Sequence, residues 1–403
     1  MNYKHVVALA LFLFTHLFLS ASEIKEGSWV GKLHLQENNE LSFNFEVDKD
    51  QGMVIKNGKE RVEMKSLSFE NDSLKIYFSS FPNYLIFKID SLNENKLSGY
   101  FVNPDRKKHS RIAFSAKFYE SFGIEDLGDE YQNIGGNWQI AFSPNSASEY
   151  PAIGKFEQNY HSVSGTFLTE TGDYRFLRGS IIDNKLKLST FDGAHIFMFN
   201  ATLENDTLKG EFLSGNHWKT DWIGFKNEKF QLKNPDSLTY MVKKDFKFNF
   251  KTVAGKAYVY PNKKLQNKVV IVQILGSWCP NCLDETMFYN ELYKEYNHLG
   301  LEIIGVAYES PKTFDEKVER IERFKTNKEV NYKILVGGNA SKVECSKDFD
   351  MLNGISSFPT SIFINKYGEV VNIHTGFNGP GTGEIYTEYK TKTKELIERL
   401  LNE

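Results

Sequence analysis

At 403 residues the chain is too long for one ordinary hydrophobic core, because domains usually hold about 100 to 200 residues, so two or three domains are expected. The net charge of -3, with 25% charged residues of both signs mixed along the chain, gives no broad basic surface and excludes nucleic acid as an expected partner. Aromatic residues make up 14% of the chain and fall mainly in short alternating segments, which favours strands buried on one face.

Residues 1–22 have the pattern of a cleavable export signal. Lys4 and His5 precede an apolar run over residues 6–19, and the small residues 20–22 follow. The run is shorter than the roughly 18 to 20 apolar residues that a spanning helix needs, so an uncleaved anchor is the less favoured alternative. We therefore expect an exported protein, located in the periplasm or cell envelope of a bacterium.

The next part of the chain is predicted to be all β. Short alternating strands, among them 41–47, 74–78, 84–89 and 96–101, are separated by turn residues. The pattern then starts again, because the Gly-x-Trp ending at Trp29 is echoed by the one ending at Trp138, and Leu74-Lys75 is echoed by Leu186-Lys187. We expect two meander or barrel-like repeats, residues 27–119 and 136–228, joined by a polar link over 125–133.

The two Gly-x-Trp motifs allow two interpretations. A Gly-x-Trp at the head of a first strand resembles lipocalin and avidin barrels, in which the Trp closes one barrel end around a ligand cup. The favoured interpretation is that Trp29 and Trp138 only pack the floor of each repeat.

After residue 227 the pattern changes to that of an α/β domain. A linker leads to a hairpin over 246–250 and 258–260, and then to a continuous apolar run at 269–275, which is typical of a strand buried on both faces. Helical spacing at 283–299, 314–324 and 388–401 alternates with strands at 301–307, 332–336, 361–365 and 370–374. This order predicts an α/β layer over residues 240–403.

Two of the three cysteines stand in Cys279-Pro280-Asn281-Cys282. A structural zinc site would need further Cys or His ligands at finger spacing, which the sequence lacks, so we expect no metal and no cofactor. The motif follows a buried strand and opens a helix, where free amides and the positive end of the helix dipole stabilise a thiolate. Cys279 is therefore predicted to be the exposed nucleophile and Cys282 the buried thiol that resolves the mixed disulfide, and an inert structural disulfide is the alternative.

Several matches, in the right order along roughly 245–403, carry a resemblance to a known family. They are the segment 268–282 around the motif, Glu285, Phe358-Pro359-Thr360 and the segment 365–377. This part resembles the thioredoxin superfamily, and within it the TlpA/ResA-like exported thiol–disulfide oxidoreductases.

The resemblance implies both a site and an activity. Pro359 is expected to be cis and to face the motif, and Phe358 to offer its backbone to an extended substrate, with Trp278 and Pro280 completing the substrate-binding surface. The implied activity is reduction of oxidised cysteines in other exported proteins through a Cys279–Cys282 redox disulfide, which a membrane electron donor would re-reduce.

The family pattern is not matched everywhere. Thioredoxin keeps a buried acid six residues before the nucleophile, where this sequence has Gln273. ResA-like proteins instead carry a Glu after the next strand, so Glu309 is the candidate for moving a proton to and from Cys282, and a solvated carboxylate at a strand end is the alternative. Met287 stands where the family often has Pro, and the Pro280-Asn281 pair leaves the reduction potential open over roughly −270 to −120 mV.

Two other functions compete with this one. A thiol peroxidase with antioxidant activity would need a Thr three residues before the reactive cysteine, where Gly276 stands. In the other alternative the main function of the protein lies in the β repeats, which bind a ligand or a partner. Cys345 lies in a stretch, residues 340–352, that is expected to form a helix. It is expected to be a packing residue and not a second redox thiol, since lone cysteines are commonly buried as small hydrophobic groups.

Overall fold

The computed structural model describes residues 23–70, 73–90, 92–119 and 131–403. The expected export signal lies outside the described residues, as does most of the expected link over 125–133. Within these four ranges, no helix combines the length and the apolar character needed to cross a bilayer.

The first β region is a closed antiparallel barrel in which β1 pairs with both β2 and β8. Its strands are β1 Gly27–His34, β2 Glu40–Val47, β3 Met53–Asn57, β4 Glu60–Glu70, β5 Ser73–Phe78, β6 Tyr84–Asp90, β7 Asn93–Val102 and β8 Arg111–Phe118. Alternation builds the core: in β5, Leu74, Ile76 and Phe78 are buried and their neighbours are half-exposed.

The second β region repeats this design as a 9-stranded sheet. Its strands are β9 Gly136–Phe142, β10 Tyr150–Asn159, β11 Ser162–Thr169, β12 Gly172–Asp173, β13 Leu177–Ile182, β14 Lys185–Phe191, β15 Ile196–Glu204, β16 Thr207–Ser214 and β17 Trp218–Lys226. Pairing of β10 with both β9 and β11 closes the sheet into a ring, and the short β12 extends β11 as a hairpin. The expected pair of barrel-like repeats is therefore present.

The two Gly-x-Trp motifs adopt the same local structure. Trp29 and Trp138 are both buried, and each indole Nε1 donates to the backbone carbonyl four residues earlier, at 2.9 Å for Lys25 and 2.8 Å for Ile134. Aromatic rings fill the space inside the second ring, where Phe199 and Phe212 stack with centroids 4.4 Å apart. The interior of the second barrel is thus filled by aromatic side chains that pack against each other. This agrees with the interpretation that Trp29 and Trp138 are packing residues.

The C-terminal region is a mixed sheet with flanking helices. Its elements are β18 Phe248–Thr252, β19 Ala257–Tyr260, β20 Val269–Leu275, α1 Pro280–Tyr296, β21 Leu301–Glu309, α2 Phe314–Asn327, β22 Lys333–Asn339, α3 Lys342–Asp348, β23 Thr360–Ile364, β24 Val370–Thr375 and α4 Glu384–Asn402. The strand order is β19-β18-β22-β21-β20-β23-β24, with β20, β21 and β22 parallel. Every residue of β20 is buried, as its continuous apolar run predicted.

Three helix boundaries differ from the sequence prediction. α1 starts at Pro280, before the predicted residue 283, because Cys279 caps the helix and Pro suits its first turn. The helix expected over 340–352 is only Lys342–Asp348, since the chain then turns to bury Phe349 against the aromatic rings of β18. α4 starts four residues before the predicted 388.

The three regions pack directly against one another. Phe191 of β14 lies among Phe43, Phe78 and Phe101 of the first barrel, with ring centroids 4.8 to 5.5 Å apart. The first barrel also contacts α2, whose Arg320 forms an ion pair with Asp105 at 2.9 Å. These contacts position both β regions beside the C-terminal region.

Candidate active site

Cys279 lies at the junction between β20 and α1. Its Sγ accepts a hydrogen bond from the backbone N–H of Cys282 at 3.2 Å, so the thiol caps the helix that it opens. A negative sulfur at this position would be stabilised by the unpaired amides and the dipole of the first turn. The residue is only 7% exposed, which corrects the expectation of an exposed nucleophile: Phe358 and the second β region cover it, and it faces a cleft.

Cys282 lies one turn further into α1 and is fully buried. Burial, together with the adjacent Cys279, raises the pKa of the Cys282 thiol well above its ordinary value. The two cysteines therefore differ in surroundings as the sequence predicted: one sulfur faces the cleft and the other lies behind it in an apolar environment.

Glu285 is a fully buried carboxyl group three residues after Cys282 on the same helix. It accepts hydrogen bonds from Gln273 Nε2 at 2.8 Å and from Ser361 Oγ at 3.0 Å. Burial raises the pKa of Glu285 to about 8 despite these two bonds, and its charge in turn helps to raise the pKa of Cys282. Gln273, noted in the sequence only as a missing acid, thus holds a carboxyl group in place.

Glu309 ends β21 and is also buried, so it is not the solvated carboxylate that the sequence left as an alternative. Its two oxygens accept hydrogen bonds from the backbone N–H of Ser277 at 2.9 Å and from the Ser277 hydroxyl at 2.7 Å. Burial raises the pKa of Glu309 to about 7. The carboxyl group thereby holds the loop that leads into Cys279, and its part in proton transfer to Cys282 stays a prediction.

The loop before β23 faces the motif. The Phe358–Pro359 peptide bond is cis, as the resemblance implied, and the carbonyl oxygen of Phe358 lies 3.6 Å from Cys279 Sγ. Trp278 packs edge-on against the Phe358 ring, with centroids 5.7 Å apart, and its Nε1 donates to the Tyr308 carbonyl at 2.8 Å. Phe358, Pro359 and Trp278 therefore lie together beside Cys279, and their role in binding a substrate stays a prediction.

Cys345 lies apart from the motif. It is fully buried in α3, next to the hydroxyl group of Tyr308, and burial raises the pKa of its thiol to about 12. A protonated, inaccessible thiol reacts slowly, so the position agrees with a packing role.

The second β region reaches the motif through the hairpin formed by β11 and β12. Asn281 of the motif donates to the Phe377 carbonyl at 2.9 Å and to the Asp173 carboxylate at 3.3 Å. Asp173 also accepts the backbone N–H of Gly379 at 2.7 Å. This contact could not be predicted, since the hairpin carries neither a motif nor an unusual composition.

A cleft of about 510 Å³ opens in front of Cys279. All three regions contribute to its walls, including Phe81 and Arg106 from the first barrel, Thr171 and Phe197 from the second, and Trp278 and Lys342 from the C-terminal part. Sequence analysis missed Arg106 and Lys342, because nothing in their local sequence relates either residue to the motif.

The C-terminal fold and the geometry of its motif define a thioredoxin-like domain. Parallel strands β20 to β22 end at one edge, Cys-x-x-C opens α1 at that edge, and a cis proline loop lies opposite. Residues 242–389 match the family model described as Redoxin, so this part of the chain is a Redoxin domain.

Relatives of the domain are named for disulfide chemistry. Thiol-disulfide oxidoreductase ResA of Halalkalibacterium halodurans is 30% identical over 114 residues, which cover 28% of this chain and 57% of that protein. ResA of Geobacillus kaustophilus is 32% identical over 138 residues, covering 34% and 63%. The similarity confirms the ResA-like resemblance of the C-terminal region, and the chain spans less than two thirds of these relatives' length.

A solved structure, a thiol:disulfide interchange protein of Chlorobium tepidum TLS, is 20% identical. The alignment covers 40% of this chain and 96% of that one at a TM-score of 0.30, a similarity on which no argument rests.

Proposed function

We propose that this protein is a thiol–disulfide oxidoreductase that reduces disulfides of other exported proteins through Cys279 and Cys282. The observation that carries the proposal is the placement of the two sulfurs. Cys279 Sγ caps α1, 3.2 Å from the Cys282 amide nitrogen, and faces the cleft, while the Cys282 thiol is buried behind it.

The first step is attack of the Cys279 thiolate on one sulfur of the substrate disulfide. The substrate S–S bond breaks, its other sulfur leaves as a thiolate, and a mixed disulfide with Cys279 remains. The cis Phe358–Pro359 loop beside Cys279 supports the binding of an extended substrate segment at this step.

In the second step Cys282 attacks Cys279 Sγ and releases the substrate. The Cys282 thiol must first lose its proton, and burial makes this unfavourable. Glu285 is the group that we assign to accept the proton, because it lies three residues after Cys282 on α1 and burial raises its pKa to about 8. Glu309 remains a second candidate, although its hydrogen bonds go to Ser277.

The location and the electron donor complete the proposal. The basic and then apolar residues 4–19 and the similarity to ResA support export to the periplasm or cell envelope of a bacterium. There a membrane electron donor would reduce the Cys279–Cys282 disulfide after each turnover.

Trapping of the mixed disulfide tests the proposal. When the reduced Cys282→Ser chain is mixed with an unstructured peptide disulfide, we expect a covalent adduct on Cys279, because the resolving thiol is absent. Mass spectrometry of the intact chain should find the adduct on most Cys282→Ser molecules. The wild-type protein resolves the mixed disulfide, so less than about a tenth of its molecules should carry the adduct.

Two matched variants serve as controls. Cys345→Ser should behave as the wild type, and the Cys279→Ser variant should form no adduct. A folded Cys282→Ser chain that forms none, or an adduct that persists in the Cys279→Ser variant, would contradict the proposed mechanism.

A further inference from the structure

The β hairpin of the second barrel narrows the approach to Cys279. Ser357 Oγ donates to the Thr171 carbonyl at 3.1 Å, and a Cβ atom at Gly376 would come within 2.5 Å of the Thr171 backbone. Asp173, in the same hairpin, binds the Gly379 amide at 2.7 Å. Because the hairpin is held from several sides, a broad folded surface cannot lie flat on the motif, and a substrate has to enter the cleft as a narrow segment.

The lining of the cleft also carries two positively charged side chains. Arg106 of the first barrel and Lys342 of α3 both line it, and neither forms an ion pair with any residue of the described ranges. Asp105, which lines the cleft as well, is already paired with Arg320 at 2.9 Å.

The remaining charged side chains of the cleft are satisfied within the protein. Asp173 is bound by the Gly379 amide and by Asn281, and His195 lies 3.0 Å from Asp192. Among the charged side chains that line the cleft, Arg106 and Lys342 are therefore the ones left without a fixed partner in the described ranges. An anionic group on the substrate would be attracted before the sulfurs meet.

We propose, resting on the function proposed above, that the cleft selects disulfides in narrow peptide segments that carry an acidic side chain next to the half-cystine. Arg106 and Lys342 bind that carboxylate while Cys279 bonds to one substrate sulfur and the other sulfur leaves and takes up a proton. Cys282 then bonds to Cys279 and releases the first sulfur as a thiol. The substrate gains two electrons and two protons, and a dithiol reductant later reopens the Cys279–Cys282 disulfide.

The test compares two peptide disulfides of equal length, one with Asp and one with Lys beside the half-cystine. They react with the reduced full chain, and a neutral small disulfide is run in parallel. At low ionic strength we expect the Asp peptide to oxidise the chain about tenfold faster, and the difference to shrink at high salt. Arg106→Glu and Lys342→Glu should each remove most of this preference.

Matched variants make the same charge change outside the cleft. Lys108→Glu, close to Arg106 in sequence, and Lys347→Glu, on the same helix as Lys342, should keep the preference. Equal rates for the two peptides with the wild type, or an unchanged preference in both cleft variants, would overturn the inference. If even the neutral disulfide and both peptides fail to oxidise Cys279 and Cys282, the proposed function itself is refuted.

Discussion

Glu285 and Glu309 are both buried next to the motif, but their partners differ. Glu285 is held by Gln273 and Ser361 in the core behind Cys282, whereas both oxygens of Glu309 are bound by Ser277 in the loop before Cys279. Burial raises the pKa of both carboxyl groups, to about 8 for Glu285 and about 7 for Glu309. The environment of Glu285 suits a proton acceptor for Cys282, and that of Glu309 suits a support for the loop.

We predict that Glu285→Gln slows the resolving step by about 100-fold, because Cys282 then lacks its proton acceptor. A carboxyl group with a pKa raised to about 8 is protonated at lower pH and becomes a base as the pH rises. The wild-type rate should therefore increase up to about pH 8, and the variant should lose this dependence. The measurement is release of a peptide from a preformed mixed disulfide on Cys279, followed against pH.

Glu309→Gln is the matched control, since it also replaces a buried carboxyl group near the motif. It should leave the pH profile of the resolving step in place. If Glu309→Gln abolished the pH dependence of the resolving step and Glu285→Gln kept it, Glu309 and not Glu285 would be the proton acceptor.

At the residue scale, the sequence predicted those features of the site that are local in the chain. Cys279 and Cys282 were identified because a strand, a motif and a helix follow one another directly. The roles of Glu285, Arg106 and Lys342 could not be predicted, because burial and distance from Cys279 depend on long-range packing. The signals available for Glu285 were its place among the matches to the family and its position three residues after Cys282, on the same helix face.

At the scale of elements, periodicity predicted strands and helices well where burial is uniform. β20 was predicted at its observed bounds because its run is apolar except for Gln273, and all seven of its residues are buried. Boundaries that depend on capping were less accurate, as the start of α1 at Pro280 illustrates. The β11–β12 hairpin could not be related to the active site, because its contacts are with residues far along the chain.

Phe191 of β14 packs at the contact between the two barrels. Its ring is fully buried and contacts three aromatic rings of the first barrel. We predict that Phe191→Ala lowers the free energy of unfolding by about 3 to 5 kcal/mol, because it leaves a cavity between the barrels. Chemical denaturation of the full chain measures the change.

Phe225→Ala gives the comparison, since Phe225 lies in the second barrel and is 48% exposed. Its cost should stay below about 1 kcal/mol. Equal costs for the two variants would show that Phe191 does not anchor the barrels to each other.

At the scale of the whole molecule, one buried arginine connects all three regions. Arg175 follows the β11–β12 hairpin and forms ion pairs with Glu60 of the first barrel, Asp192 of the second and Asp284 of α1. Burial raises the pKa of Asp284 to about 7 even though Arg175 opposes this shift. The start of α1, which Cys279 caps and which contains Cys282, is therefore connected to both barrels by the side chain of Arg175.

This arrangement explains why the purpose of the β repeats was not evident from the sequence. The repeats were predicted as barrel-like units from alternation and from the two Gly-x-Trp motifs, and the sheets agree with that prediction. Their position around the Cys279 cleft depends on contacts such as Arg175 with Asp284, for which local sequence carries no signal. In the proposed function the barrels form the walls of the substrate cleft.

The reduction potential of the cysteine pair tests the central claim most directly. The full chain is equilibrated with dithiol–disulfide buffers of different potential, and alkylation followed by mass spectrometry gives the fraction with a Cys279–Cys282 disulfide. We predict a reversible two-electron couple with a midpoint below about −200 mV, as a protein disulfide reductant requires. Failure to form this disulfide at any potential, or a midpoint near about −120 mV as in a strong oxidant, would contradict the account.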